Sequence, residues 1–276
     1  MKSYLKTKDF SISQEDFELL YNEELDMLVT YPEPEDIEKY YESDAYISHT
    51  DSKKTVVDKI YQIVKSYSLK KKLSLINSFD TKEKTLLDIG AGTGDFLCTA
   101  KDKNWNVAGV EPNTLARSKA NKKGIKLYDN LNKVLDTKFE VITLWHVLEH
   151  LPNLENKIDR IVSLLTDNGT LVIAVPNFKS YDAKHYGKYW AAYDVPRHLW
   201  HFSKNTIEKL FKKHNIEIVK TKPMLFDSFY VALLSEKYKT QKQNFLKAFY
   251  IGLKSNISAN SSKEYSSHIY ILRKRI

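Results

Sequence analysis

The stretch Leu86-Leu87-Asp88-Ile89-Gly90-Ala91-Gly92-Thr93-Gly94-Asp95-Phe96 constrains this chain more than any other. An apolar run passes into three glycines at alternate positions and then straight into an amphipathic segment. Glycine tolerates positive φ and lets a ligand approach the main chain. The first turn of a helix offers free N–H groups and the positive end of its dipole. The stretch therefore predicts a strand, a tight loop and a helix that hold something nucleotide-like at the carboxyl edge of a sheet. Two common phosphate sites are excluded by spacing. A G-x-G-x-x-G fingerprint counted from Gly90 needs glycine at 95, where Asp95 stands, and no G-x-x-x-x-G-K-[ST] occurs. The acids Asp88 and Asp95 suit a cationic, phosphate-free nucleoside better than a diphosphate.

The segments around the loop repeat its grammar. The next apolar run, Val107-Ala108-Gly109-Val110-Glu111-Pro112, ends on a carboxylate that can accept hydrogen bonds from both ribose hydroxyls. Strands are expected at 85–89, 106–110, 126–128, 139–144, 170–175, 216–221 and 268–273. Helices are expected near 95–103, 114–122 and 153–165, the last stopped by Asn168-Gly169. A further helix is read over 53–77 from Val56, Ile60, Ile63, Val64 and Tyr67. Ser203 is a candidate N-cap for a helix with the stripe Ile207, Leu210, Phe211 and His214. This alternation predicts an α/β chain with a parallel sheet covered on both faces. Residues 227–257 read as additional helices, and 255–263 as a loop. Residues 1–80 are taken as a tyrosine-rich, helical N-terminal region, with helix expected after Pro34 through Ile37, Tyr40 and Tyr41. Residues 81–276 form the ligand-binding domain, with an insert at about 227–262.

Composition narrows the class. The 276 residues suit one large domain, or one with an appendage, and the single cysteine, Cys98, excludes a disulfide framework or a Cys-rich zinc module. No apolar run is long enough for a transmembrane helix, and MKSYLKTKDF lacks the apolar core of a signal peptide. A soluble, cytoplasmic protein is the expectation. The net charge of +8 is uneven: residues 1–50 carry four basic and thirteen acidic side chains, and those from His201 onward fifteen and five. The lysines are scattered singly, as on a solvated face, which disfavours nucleic acid as a partner. Homodimerisation is left open.

LLDIGAGTGDF followed by VAGVEP, with FEVITLWHVLEHL beyond, resembles the class I S-adenosylmethionine-dependent methyltransferases, mainly over residues 85–176. The resemblance implies a Rossmann-like, seven-stranded sheet of order 3-2-1-4-5-7-6 with the last strand antiparallel. It implies S-adenosylmethionine as cofactor and S-adenosylhomocysteine as product. Gly90, Gly92 and Gly94, with Ala91 between, would wrap the methionine part and ribose. Asp88 would help to hold the methionine amino group. Glu111, followed by Pro112, would take the ribose diol. Asp129, Asn130 and Leu131 would flank the adenine, and Trp145 and His146 would line the methyl donor. The later run Asp194-Val195-Pro196-Arg197-His198-Leu199-Trp200-His201-Phe202-Ser203 is similar to that of a small-molecule subgroup. Trp190, Asp194 and Arg197 are candidate acceptor-binding residues there, with Arg197 meeting an acidic group. Tyr41, Tyr46 and His49 are candidates from an N-terminal lid.

Methyl transfer to oxygen or nitrogen releases a proton, so His146, His198 and His201 are candidate bases. No metal is expected. Glu149 and His150 are adjacent and do not easily face one ion on a helix, and His198-x-x-His201 shows no third ligand. The paired cysteines that relatives carry near the N-terminus are missing from this chain. The expected activity is methyl transfer to an oxygen or nitrogen of a small molecule. The rivals are an RNA or protein methyltransferase and a non-catalytic cofactor-binding subunit. Two acceptor chemistries are set aside: no Asn/Asp-Pro-Pro-aromatic run follows the fourth strand, and Cys98 sits on the helix after the glycine loop.

Overall fold

The structure, a computed structural model, describes residues 1–41, 56–135 and 137–275, leaving aside the side chains of residues 38 and 56–63. The chain clusters into two compact units. One comprises Met1–Ser43, His146–Glu155 and Ile173–Ile271, the other Asp44–Trp145, Asn156–Val172 and Leu272–Ile276. Among the described residues there are two sheets. The smaller has the order β1-β2-β3-β8, from β1 (Lys2–Lys8), β2 (Asp16–Asn22), β3 (Met27–Tyr31) and β8 (Trp200–His201). The larger has the order β5-β4-β6-β7-β10-β9, from β4 (Thr85–Ile89), β5 (Asn106–Val110), β6 (Phe139–Trp145), β7 (Leu165–Pro176), β9 (Ile216–Pro223) and β10 (Ser267–Lys274).

The unit with the glycine loop is built on parallel pairing. β4 pairs with β5 and with β6, in a register that sets Asp88 opposite both Gly109 and Thr143. Leu86, Leu87 and Ile89 are buried, so β4 is covered on both faces. Helix α1 (Val56–Ile76) supplies Leu69, Leu73 and Ile76 to a core with Phe96, Leu97, Ala100, Trp105, Ile125 and Val141. Its Val64 and Tyr67, expected on the apolar stripe, are exposed. Helix α2 (Asp95–Lys101) begins at Gly94, and α3 (Thr114–Lys122) is capped by Asn113, whose side chain accepts from Ala116 N. Helix α4 (Leu154–Ser163) ends before the expected stop, and Asn168-Gly169 lies within β7. The strand expected at 126–128 is reduced to a bridge between Val110 and Tyr128, so the sheet has six strands among the described residues rather than seven.

In the other unit, the first 31 residues form an antiparallel meander, where the sequence pattern predicts part of a helical region. Phe17 and Leu19 of β2 point into the core, and β3 pairs with β8 through Leu28 and His201. Past Pro34, the described residues up to Tyr41 form a 3-10 turn, at Glu38–Tyr40, where a helix is expected. Helix α5 (Tyr181–Tyr186) follows β7, and α6 (Lys204–Lys212) starts at Ser203, whose side chain exchanges hydrogen bonds with Thr206 in a capping box. Helices α7 (Asp227–Thr240) and α8 (Phe245–Ser262) occupy the expected insert. The loop expected over 255–263 is instead the last turns of α8. Its small residues allow close packing: a Cβ at Gly252 would come 2.9 Å from Phe229 Cα, and Ser255 and Ala259 are buried. No helix among the described residues is long and apolar enough to cross a membrane.

A buried ion pair ties the first loop of this unit to the segment before β8. The Asp9 carboxylate accepts from the backbone of Ser11, Ile12 and Ser13 and from both terminal nitrogens of Arg197. Burial pushes the Asp9 carboxyl up, but Arg197 and these N–H groups outweigh it and hold it well below the usual carboxylate range. A depressed carboxyl stabilises the fold above its ordinary pKa near 3.8 and loses that contribution as acidification protonates it. Asp9→Ala should therefore lose about 3 kcal/mol at neutral pH. Denaturant titrations of wild type and variant should converge as the pH falls below that value. A variant as stable as wild type at neutral pH would show that the pair contributes nothing.

Candidate functional site

The glycine loop is held open by its backbone. Gly90, Gly92 and Gly94 have φ of 72°, 53° and 74°, in the left-handed region that side chains resist. The N–H groups of Gly90 and Ala91 both donate to Val110 O, and Gly94 N donates to Ala91 O. A Cβ at Gly92 would meet nothing within 4 Å, so the loop borders open space there, whereas one at Gly94 would come 3.0 Å from Ala120 Cβ. Glu111 is fixed at the end of β5: one carboxylate oxygen accepts from Gly92 N at 2.8 Å and the other from Asn113 N at 2.9 Å. Each oxygen keeps a further lone pair. Pro112 follows it and lends its carbonyl to Arg117.

The remaining expected cofactor residues of this unit fall into local roles. Asn130 caps the turn Leu131–Lys133, Leu131 is buried, and Asp129 pairs with Lys133. Trp145 ends β6 edge-on to Phe96, with the Lys72 ammonium 4.4 Å from its ring centroid. Asp95 is paired with Lys65 and Lys123. Asp88 is sealed in the sheet and accepts from Thr143 Oγ1 at 2.6 Å. Burial raises its carboxyl to about 6, against the hydrogen bond from Thr143 and the charge of Lys72.

The other unit holds the described histidines. His146, the residue after β6, has φ of 57°. Its Nε2 lies 3.0 Å from Asp227 Oδ2 and its Nδ1 3.4 Å from Glu149 Oε1. Burial disfavours the imidazolium, but the Asp227 and Glu149 carboxylates outweigh it and raise His146 to about 10. An imidazole protonated at neutral pH has no lone pair for the acceptor's proton. His201 is committed otherwise. Thr30 Oγ1 donates its hydrogen to His198 O, so His201 Nε2, 3.0 Å from Thr30 Oγ1, must donate to that hydroxyl oxygen. His201 is buried and held neutral. His198 donates through Nδ1 to Ala192 O at 2.9 Å.

Two expected acceptor-binding residues are enclosed. The five N–H donors of Arg197 are met by Asp9, Asp194, Ser11 and the Tyr40 carbonyl, and the residue is buried, so it clamps the fold and presents no donor to an acceptor's acid. Asp194 spends its carboxylate on that guanidinium. Trp190 is buried with its indole N–H donated to Asp182. The Tyr41 hydroxyl lies 2.9 Å from His150 Nδ1, while Tyr46 and His49 lie outside the described residues. Sequence reasoning did not single out Thr143, Lys72 or Asp227. The first two reach their partners only through sheet register and helix packing, and Asp227 stands some eighty positions from His146 with no motif around it.

A parallel strand ending in a left-handed glycine loop, with a fixed carboxylate at the end of its neighbour, defines a Rossmann-like nucleoside-binding fold. The family model for the methyltransferase domain matches residues 61–221, more than half of the chain. The chain belongs to that family and is an S-adenosylmethionine-dependent methyltransferase. No curated protein matches its sequence. Among solved structures, it is similar to magnesium protoporphyrin IX methyltransferase from Synechocystis PCC 6803 with bound S-adenosylhomocysteine. The identity is 14%, covering 86% of this chain and 97% of that one, with a TM-score of 0.57. It is also similar to a cyclopropane synthase from Mycobacterium tuberculosis, at 13% identity over 85% and 95% of the two chains and a TM-score of 0.55. At these identities the likeness is one of fold.

The position of Asp88 has a measurable consequence. Its raised pKa means that the folded state binds a proton the unfolded state has already lost between the ordinary value of 3.8 and about 6. Stability therefore falls as pH rises through that window, and the penalty is complete above it. Asp88→Asn keeps an acceptor for Thr143 and removes the charge. The variant should match wild type near pH 4 and exceed it by roughly 2–3 kcal/mol above pH 6.5 in ligand-free denaturant titrations. A gap that stays constant across this range would refute the assignment.

Proposed function

We propose that this methyltransferase carries the methyl group of S-adenosylmethionine to an oxygen or nitrogen atom of a small-molecule acceptor. The observation that carries the reading is the Glu111 carboxylate, fixed by two backbone N–H groups beside a glycine loop that opens at Gly92. In this reading its spare lone pairs take the ribose diol. The main chain of Gly90, Ala91, Gly92 and Gly94 follows the methionine and ribose. Pro112, Asp129, Asn130 and Leu131 border the adenine, and Trp145 borders the methyl donor. Asp88 serves the ammonium end from within the sheet. No pyrophosphate needs to be accommodated, which agrees with two acids at the loop.

The cofactor supplies an electrophilic methyl group for in-line displacement. The protein contributes position and exclusion of water, and good alignment alone is worth up to ~7–11 kcal/mol of barrier. Of the three candidate histidines, His146 is held protonated, which leaves His198 and His201 as the candidate bases. A small acceptor is supported by the matched structure whose named substrate is magnesium protoporphyrin IX.

Calorimetric titration with S-adenosylhomocysteine, in parallel with NAD, tests the cofactor half. Micromolar binding of the first and no heat from the second are expected, with Glu111→Gln weakening binding at least about tenfold, since each charged hydrogen bond is worth ~1.5–3 kcal/mol. Equal binding of NAD, or none of S-adenosylhomocysteine near millimolar concentration, would overturn it. The acceptor half is tested with methyl-labelled cofactor and a metabolite extract. Label should enter the small-molecule fraction; label confined to RNA or protein would sink that half alone.

A further inference from the structure

Two buried acids of this unit have no hydrogen bond, Glu236 and Glu149; Glu236 is met by the Lys247 ammonium at 3.2 Å, whereas Glu149 faces imidazoles. Glu149 is buried to 1% exposure, and neither carboxylate oxygen has a hydrogen-bond partner. His146 Nδ1 approaches Oε1 at 3.4 Å, without hydrogen-bond geometry. Two imidazoles converge on the same carboxylate. A carboxylate oxygen of Glu149 and one ring nitrogen each of His150 and His198 lie within 4.8 Å of one another.

The ring chemistry says which nitrogens are left for an ion. His150 Nδ1 is 3.0 Å from Arg197 O, and His198 Nδ1 is 2.9 Å from Ala192 O. A carbonyl oxygen only accepts, so both Nδ1 atoms carry the hydrogen, and Nε2 is the nitrogen each ring has left for an incoming ion. The cluster then presents two imidazole nitrogens and one carboxylate, with Glu149 and His198 buried and His150 half-buried. The His146 imidazolium reaches this carboxylate only at 3.4 Å and without hydrogen-bond geometry, so a cation seated among the three groups would complete them. Histidine held by an Nδ1–H···O=C bond, with Nε2 free, is also how proteins orient metal-binding imidazoles. The charged neighbours are accounted for. Asp194 Oδ2 is 4.0 Å from His198 Nε2 but is bound to Arg197, and His146 is bound to Asp227.

We propose that Glu149, His150 and His198 form a binding site for a first-row divalent cation of the zinc type. Two imidazoles and one carboxylate are a donor set that suits such an ion and leaves a coordination position open for an oxygen or nitrogen ligand. Ligands about 2.0 Å from a tetrahedral ion stand roughly 3.3 Å apart, so side-chain shifts of about an ångström complete the geometry. The site requires nothing from the cofactor reading, and either can fail without the other.

The test uses the full chain, free of any affinity tag and stripped with chelator, titrated with Zn2+ alone by calorimetry. One equivalent should bind at micromolar concentration or below, and the ion should raise the melting temperature. Glu149→Gln and His198→Gln should each weaken binding at least about tenfold, while His214→Ala, away from the site, leaves it unchanged. Should either variant fail to fold, Co2+ added to wild type decides, through the visible absorption band of a nitrogen-coordinated, low-symmetry site. No heat and no shift in melting temperature with wild type, or undiminished binding by Glu149→Gln, would overturn the proposal; the cluster would then be an imidazolium sharing its proton with the buried carboxylate. Binding of S-adenosylhomocysteine by the stripped protein, unchanged from untreated protein, separates this result from any failure of the cofactor site.

Discussion

The Glu111 carboxylate is the point on which the glycine loop depends. The loop has little to hold it, because its glycines carry no side chains and its backbone sits in conformations that relax readily. Gly90 N and Ala91 N anchor one end to Val110 O, and Glu111 reaches over to Gly92 N at the other. The same carboxylate holds Asn113 N, and Asn113 in turn caps α3. One side chain thus sets the loop and the start of the next helix, and both its contacts are charge-assisted bonds to backbone N–H, the stronger class of hydrogen bond. A carboxylate fixed this way offers its remaining lone pairs at a preset position, with no side-chain entropy to lose when a diol arrives.

Buried charge organises the other unit, and its acids divide sharply. Asp9 meets Arg197 and three backbone N–H groups. Asp26 meets Lys179, Tyr21, Ser203 and Asn205. Asp182 meets Trp190, Ser255 and Ser266. These carboxylates have donors in place, which is what makes a buried acid tolerable. Glu149 is buried as deeply and has no hydrogen bond. Asp88, in the glycine-loop unit, has one, from Thr143, and its carboxyl is raised. Glu236, also buried without a hydrogen bond, is met by the Lys247 ammonium at 3.2 Å; Glu149 and Asp88 lie where independent features, a pair of oriented imidazoles and a glycine loop, suggest a cationic ligand. Perturbed or unpartnered acids gather where a ligand completes them.

Local patterns were legible in the sequence; encounters made by topology were not. β4, β5 and the helices after them could be placed because apolar runs, glycines and caps are local signals. The small sheet was missed although Phe17 and Leu19 alternate with polar neighbours. Its strands are short, its edge pairs with two residues from beyond position 199, and the turn Asn22–Asp26 looks like a charged coil. The end of α8 was misread because serine, asparagine and alanine are both loop residues and the small residues that let helices pack closely. Arg197 illustrates the same limit in the site. An arginine among aromatics reads as an anion receptor until Asp9, nearly two hundred positions away, is seen to hold it.

The histidines show why pairwise spacing arguments mislead. Glu149 with His150, and His198 with His201, are each poor metal pairs when judged along the chain. The fold takes both members of the first pair and one of the second. Leu199 N donates to Glu149 O at 2.8 Å, which lays the segment after His198 beside the turn that carries Glu149 and His150. The same segment lends Arg197 O to His150 and thereby fixes its tautomer. One stretch of backbone thus sets both the position of one imidazole and the lone pair of another. Arg197 is itself locked by Asp9 and Asp194, so the buried ion pair that stiffens this segment also determines which nitrogens of the cluster are available to a cation.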